Sequence, residues 1–245
     1  MSSAAESILS DLVEVEQERT RRRTDPSLGG RVRAIKSFQQ MRFRQTYADW
    51  LNSARYRRAA VFFLEELYGP MDFSQRDAQF ARIVPSLVRL FPADVVEVVR
   101  TLARLHALSE SLDSAMAAHL DDAGTLDAQS YVRAWVATGR ASDRSAQVEL
   151  TVRTARTLDV LTGKALVRNS LRLMRAPARA AGLGQLQQFL ESGFEAFKEM
   201  KGASEFIATL ESRESALTRE LFAGNPSRLE AYAFTHDAVQ GDGKR

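Results

Sequence analysis

The chain has 245 residues, 44% of them hydrophobic, and a formal net charge of +3 at pH 7. A chain of this length can bury a large core without covalent cross-links. Because it contains no cysteine, disulfides, thiolate nucleophiles and thiolate metal sites are excluded, and a reducing compartment is favoured.

The amino-terminal segment has neither the basic leader nor the apolar stretch of a signal peptide, and acidic residues follow from Asp11 onwards. No run reaches the ~20 apolar residues that are needed to cross a bilayer. Even the apolar run at residues 59–64 is stopped by Glu65 and Glu66. We therefore expect a cytoplasmic protein with no transmembrane segment.

The small net charge conceals a strong segregation of charge along the chain. Residues 19–58 carry twelve basic and two acidic residues, and residues 140–179 carry nine basic and three acidic residues. The two segments have net charges of +10 and +6, which leaves −13 for the rest of the chain. Such segments bind an acidic partner or pair with acidic residues inside the fold, and we favour internal pairing.

Helical periodicity begins at the amino terminus. Ser3 and Glu6 have the capping-box spacing, and apolar residues then recur at helical intervals, which predicts a first helix. Pro26 and the glycines at 29–30 interrupt the pattern. A second helix, amphipathic and strongly basic, follows over residues 31–51.

The rest of the chain continues the helical pattern, with proline, glycine and capping residues between the helices. Further helices are predicted at residues 54–68, 74–84, 94–120, 126–138, 142–174 and 204–222, with another from Pro177 to Gly202 and short pieces between Pro85 and Pro92 and near the carboxyl terminus. Strand signals are sparse, and neither a fixed repeat nor a sustained heptad occurs. We predict an all-α protein that forms a single compact multi-helix bundle of about eight helices.

Three parts of the chain are distinguished by their composition. We predict a basic amphipathic N-terminal helix with its linker at residues 1–30 and the helical bundle domain at residues 31–235. A flexible tail is predicted at residues 236–245.

One short motif is specific. Residues 62–68 are Phe62, Phe63, Leu64, Glu65, Glu66, Leu67 and Tyr68. This run resembles the signature of the FFLEELY motif proteins, an uncharacterised bacterial family, and the resemblance extends through Gly69, Pro70, Phe73, Arg76 and Asp77. It implies a bacterial origin and a helical domain, but no activity.

The apolar side chains of the motif surround most of the helix, which predicts burial between several neighbours. Its two glutamates then need partners wherever they are desolvated. Candidate partners are Arg57, Arg58, Arg76 and Arg82. The favoured interpretation is a structural ion pair or an exposed glutamate, and the alternative makes one of the glutamates a ligand-binding or acid/base group.

The chain has three histidines, His106, His119 and His236. His106, Glu110 and Asp113 share one helical face, which would suit proton transfer or a metal cluster, but the Glu-x-x-His pairs of ferritin-like proteins are absent. His106 as a haem ligand is a further alternative. A histidine satisfied in or near the core is the favoured interpretation, and we predict no metal and no cofactor.

Five cations recur at spacings of 4, 4, 3 and 4, which would align them on one face of an unbroken helix. They are Lys164, Arg168, Arg172, Arg175 and Arg179. Nucleic-acid phosphates would suit this stripe, and aromatic residues of the first basic segment would add stacking groups. These aromatic residues are Phe38, Phe43, Tyr47 and Trp50, and their spacing also suits positions in the core. The alternative is a solvated face or a partner for the glutamates at positions 191, 195 and 199.

No dinucleotide fingerprint, P-loop, HExxH or GxSxG sequence occurs. We therefore predict a non-enzymatic interaction or regulatory module, which uses its basic amino-terminal helices to bind an unknown protein partner or to self-associate. One alternative is a nucleic-acid-associated protein that uses the arginine-rich face. Another is a ligand- or haem-binding, or catalytic, bundle centred on His106, Glu110 and the motif helix.

Overall fold

A computed structural model describes residues 3–67, 70–121 and 126–231. Within these ranges the chain is almost entirely helical and has no strand, so the all-α prediction is confirmed. The helices are α1 (Ser3–Thr24), α2 (Pro26–Thr46), α3 (Ala48–Leu51), α4 (Arg57–Phe62), a π-helical turn (Phe63–Leu67), α5 (Ser74–Leu90), α6 (Ala93–Ala117), α7 (Ala128–Thr138), α8 (Ala141–Thr162), α9 (Ala165–Leu173), α10 (Arg175–Ala180), α11 (Gly184–Glu199) and α12 (Ser204–Phe222).

The described helices outnumber the predicted eight, because four predicted helices are divided, those over residues 31–51, 54–68, 142–174 and 177–202. The helix predicted over residues 142–174 ends at Thr162, where Gly163 weakens it and Lys164 takes an extended conformation before α9 begins. The helix predicted over residues 54–68 begins only at Arg57 and continues as the π-helical turn.

Two interruptions that were predicted at proline or glycine residues differ in the structure. The first lies at a different residue, and the second is absent. Asp25 alone separates α1 from α2, and its carboxylate accepts a hydrogen bond from the Leu28 amide. Gly29 lies within α2, where an added Cβ would meet the Arg22 carbonyl oxygen at 3.0 Å, so glycine permits the close approach of α1 and α2. Helix α5 also continues through Pro85, and Val84 and Leu87 on either side of this proline are buried.

Helix α6 lies at the centre of the bundle, where it packs against α1, α2, α7 and α8. Three clusters of buried apolar side chains form the core. One cluster joins α1 to α5 and α6, and a second joins α2 to α7 and α12. The third, which we call the aromatic cluster, is rich in aromatic rings from α2, α3, α4 with its π-helical turn, α11 and α12. Within the described ranges, no helix combines the length and the hydropathy that crossing a membrane would require.

The apolar motif side chains belong to the aromatic cluster. Phe62, Phe63 and Leu64 are all buried, as their periodicity predicts. The Phe63 ring lies 5.7 Å from the Phe206 ring and 6.3 Å from the Phe197 ring, measured between centroids. The motif therefore joins the amino-terminal helices to α11 and α12.

The division of the chain at residue 30 stays a prediction. Helix α1 buries Ile8, Leu12 and Val15, and it packs on α5 and α6. The tail predicted at residues 236–245 lies outside the described residues.

Candidate functional site

The site is built on one face of α6. Ala103, His106, Glu110 and Asp113 follow one another at spacings of three and four residues, which places them on the same side of the helix. Glu110 and Asp113 are only 5% and 6% exposed. Two carboxyl groups are therefore withdrawn from water, and each needs polar partners there.

Asp77 on α5 and Arg19 on α1 meet His106. The Asp77 Oδ2 atom lies 2.6 Å from Arg19 Nη2 and 2.8 Å from His106 Nε2. A carboxylate only accepts hydrogen bonds, so His106 Nε2 carries a proton and donates it to Asp77. Asp77 thus fixes the orientation of His106.

Glu110 lies between two cations from different helices. Its Oε1 atom lies 2.5 Å from Lys36 Nζ on α2, and its Oε2 atom accepts from Arg22 on α1. Arg22 also donates to the Glu110 carbonyl oxygen at 2.7 Å and to Ser114 Oγ. We call these six residues, Arg19, Arg22, Lys36, Asp77, His106 and Glu110, the charge cluster.

Asp113 differs from these carboxylates because its hydrogen-bond partner is an amide. Gln39 Nε2 on α2 donates to Asp113 Oδ1 at 3.0 Å. Burial raises the pKa of Asp113, and this outweighs the lowering effects of Lys36 and Arg144. A buried carboxyl group held in this way favours its neutral form more than an exposed one does.

A cavity of about 180 Å³ lies beside the charge cluster. Its polar side includes Lys36, Gln39, Asp77, His106, Glu110 and Asp113. Its apolar side includes Phe73, Phe80, Leu102, Leu105, Phe189 and Leu190. The cavity therefore combines an apolar wall with groups that donate, accept or bind a proton.

The motif reaches the same cavity through Phe63 and Glu66. Arg76 Nη1 lies 3.4 Å from Glu66 Oε2 and 3.2 Å from its carbonyl oxygen, while Glu65 is exposed. The Arg76 guanidinium also stacks over the Phe73 and Phe189 rings. One of the four candidate arginines thus pairs with a motif glutamate. The Leu67 side chain and Tyr68 lie outside the described residues.

The cations of the first basic segment pair with acidic residues throughout the fold. Besides the charge cluster, these pairs are Arg23 with Glu16, Arg42 with Glu214, Arg55 with Glu205 and Arg58 with Glu199. Much of the segregated charge is therefore balanced inside the molecule.

The structure separates the five cations of the predicted stripe among several elements. Lys164 precedes α9 and pairs with Asp94, Arg168 and Arg172 lie on α9, and Arg175 and Arg179 lie on α10. Arg175 Nε lies 2.6 Å from Glu191 Oε1 on α11. The stripe is not carried by one unbroken helix, and its binding role stays a prediction.

The aromatic residues that were predicted to add stacking groups are buried. Phe38, Phe43, Tyr47 and Trp50 belong to the core. That part of the nucleic-acid prediction is wrong, because the rings pack against other aromatic rings of the bundle.

His119 is exposed beyond the end of α6, and His236 lies outside the described residues. In the described ranges, no group of three or more histidine and acidic side chains has an arrangement that could hold a metal ion.

Four members of the charge cluster were missed by the sequence analysis. Arg19, Arg22 and Lys36 were assigned only to the first basic segment, and Asp77 only to the sequence resemblance that extends past the motif. A signal was present for the first two, because the buried positions of α1 continue at the same spacing of four and three residues to reach Arg19 and Arg22. Charged residues at the positions of an apolar stripe face the interior.

The fold and this site define an all-α bundle in which a buried charge cluster lies beside a cavity. The chain belongs to the family of a domain of unknown function (DUF8198), whose sequence model matches residues 18–228. This match covers all six residues of the charge cluster. No curated protein and no solved structure shows significant similarity to the chain.

Acidification is expected to weaken the fold through the charge cluster. Burial acts to raise the pKa of Asp77, but His106 and Arg19 lower it to about 2. Burial acts in the same way on Glu110, but Lys36 and Arg22 lower its pKa to about 2. A carboxyl group with a lowered pKa stabilises the folded state at neutral pH, and this contribution is lost as the pH falls from about 4.5 towards about 2. Asp113, whose pKa is raised, contributes in the opposite direction.

Urea denaturation between pH 3 and pH 7 measures this effect. We expect the free energy of unfolding of the wild type to fall below about pH 4.5, and the fall to be smaller in Glu110→Gln, which cannot ionise. Parallel pH profiles for the two proteins would contradict the assignment to Glu110.

Proposed function

We propose that this protein is a small-molecule-binding helical module and that its ligand occupies the central cavity. The observation that carries the proposal is that apolar side chains and buried, oriented polar groups line one cavity. Small-molecule sites combine these two features, since apolar contact supplies affinity and a few polar groups fix orientation.

The size and lining of the cavity limit the ligand. A volume of about 180 Å³ suits a molecule of about one ring or a short chain, by comparison with the ~150 Å³ cavity that holds benzene. Phe73, Phe80 and Phe189 would contact its apolar part. A hydrogen-bonding head group would lie towards His106, Asp113 and Gln39.

This proposal is compatible with a regulatory role. The charge cluster joins α1 and α2 to α5 and α6, so a ligand beside it contacts the ion pairs that hold the amino-terminal helices. Binding to one arrangement of these helices more tightly than to another shifts their equilibrium. The partner protein or self-association that such a shift would control stays a proposal, as does a cytoplasmic location.

Non-denaturing mass spectrometry of the untagged protein, purified from a bacterial cytosol at moderate salt, tests the proposal. We expect a retained mass beyond that of the chain, and we expect it to be lost in Leu105→Trp, which fills the cavity without removing a charge. A second variant, His106→Ala, tests whether His106 binds the retained molecule. His119→Ala is its matched control, because His119 is exposed and is not among the residues that line the cavity.

The variants separate a ligand in the cavity from one elsewhere. Loss of the extra mass in Leu105→Trp, together with retention in His119→Ala, supports the proposal. An unchanged ligand load in His106→Ala would remove His106 from the binding residues. Bare chain mass, together with no thermal stabilisation by any member of a library of ring-sized compounds, would reject the proposed function.

A further inference from the structure

Helix α9 is amphipathic, yet none of its residues is buried. Its inner side is formed by Val167 and Leu171, which are partly buried. Leu166 and Leu173 are 70% and 77% exposed. These two leucines are seven residues apart, so they lie on the same side of the helix, about two turns from each other. Helix α9 therefore presents a second apolar side to the outside of the bundle.

The turn between α5 and α6 lies next to the start of α9. Lys164 pairs with Asp94 at the start of α6, and Val167 packs against the cluster that includes Leu87. This turn exposes two further apolar side chains, Leu90 and Phe91. We call Leu90, Phe91, Leu166, Leu173 and the exposed Met174 the α9 surface. Large exposed apolar side chains on neighbouring elements are the feature by which an interaction site is recognised.

The charge around the α9 surface is predominantly positive, although Lys164 pairs with Asp94 and Arg175 pairs with Glu191. Residues 160–190 contain five basic residues and no acidic residue. Arg172 lies on α9 and Arg179 on α10, and both are exposed. The apolar side chains are therefore flanked by cations, which attract a partner that is both anionic and apolar.

We propose that the α9 surface docks on an anionic lipid bilayer. Leucine and phenylalanine side chains enter the boundary between head groups and acyl chains, while arginines remain with the lipid phosphates. A nucleic acid would satisfy the cations but would leave Leu166 and Leu173 without an apolar partner. The proposal is independent of the ligand in the central cavity, because the α9 surface shares no residue with the cavity lining.

Co-sedimentation of the full chain with large vesicles tests the proposal. The probes are vesicles of phosphatidylcholine alone and vesicles in which a third of the lipid is phosphatidylglycerol. We expect binding to the anionic vesicles only, with an affinity that falls as salt is added. Replacing both leucines in L166Q/L173Q should weaken binding at least about tenfold, because their apolar contacts with the bilayer are lost.

Two further variants separate charge from apolar contact. R172Q/R179Q should weaken binding by about fivefold per arginine in low salt and have little effect in high salt. V13Q/V136Q is the matched control, because Val13 and Val136 are exposed apolar residues outside the α9 surface, and its binding should equal that of the wild type.

Several outcomes would overturn the proposal. One is the absence of binding to anionic vesicles at low salt, and another is equal binding to both vesicle types. A third is vesicle binding that L166Q/L173Q leaves unchanged. A different result would assign Arg172 and Arg179 to nucleic-acid binding. In that case the protein would not bind vesicles, but it would bind a short DNA duplex in a salt-sensitive way, and L166Q/L173Q would bind the duplex as well as the wild type does.

Discussion

Replacing Glu110 by alanine is expected to lower the free energy of unfolding by about 3–5 kcal/mol. Glu110 is the partner of both Arg22 and Lys36, and its side chain is 7% exposed. Its removal leaves two cations in the bundle interior without their counter-ion, and neither is solvated well enough to compensate. The measurement is urea denaturation at pH 7, with the change read from the midpoint at constant slope.

Glu211→Ala is the control for this substitution. Glu211 pairs with Arg156 at the surface, and both side chains are about half exposed. Ion pairs of this kind contribute about 0–1 kcal/mol, because water solvates the remaining partner. Equal effects of the two substitutions would show that Glu110 is solvated and that the charge cluster is not buried in solution.

Replacing Phe63 by alanine is expected to cost about 3–5 kcal/mol of unfolding free energy. The side chain is 4% exposed, and its ring lies near those of Phe43, Phe197 and Phe206. Truncation removes its contacts with elements that are distant in sequence and leaves a void that the helices fill only in part. The measurement is again the free energy of unfolding from denaturant titration.

Two variants test the cause of this loss. Phe63→Leu retains much of the apolar volume and should cost less than Phe63→Ala. Phe91→Ala makes the same truncation at a side chain that is 40% exposed, and its cost should be well below that at position 63. An equally small effect at both positions would be incompatible with the burial of the motif in the aromatic cluster.

The π-helical turn explains why the motif helix differs from its prediction. The apolar periodicity of residues 54–68 predicted one regular helix. The structure instead widens the helix at Phe63–Leu67. This turn contains Glu66, which pairs with Arg76. A π turn changes which side chains share a face, and such turns are frequent at functional sites. Periodicity assumes a constant 3.6 residues per turn, so it misses this change.

The sequence alone determined the helical class and most of the core. Apolar residues at three- and four-residue spacing predicted a helix at residues 94–120, and α6 buries Val98, Leu112 and Met116, because a helix must bury its apolar stripe. The helix predicted at residues 126–138 agrees with α7, whose start is capped by the Asp127 side chain, which accepts from the Ser130 amide. At the other end of α7, Gly139 takes a positive φ of 65°, which a glycine adopts without strain. These signals are local, so one sequence is enough to read them.

Only the tertiary structure decided which charges meet. Arg19 and Asp77 are 58 positions apart, and Arg22 and Glu110 are 88 positions apart. Helical periodicity fixes the face on which each residue lies, but it does not fix which helix packs against that face. The sequence placed His106, Glu110 and Asp113 on one side of α6, and the packing of α1, α2 and α5 on that side supplied their partners and the cavity.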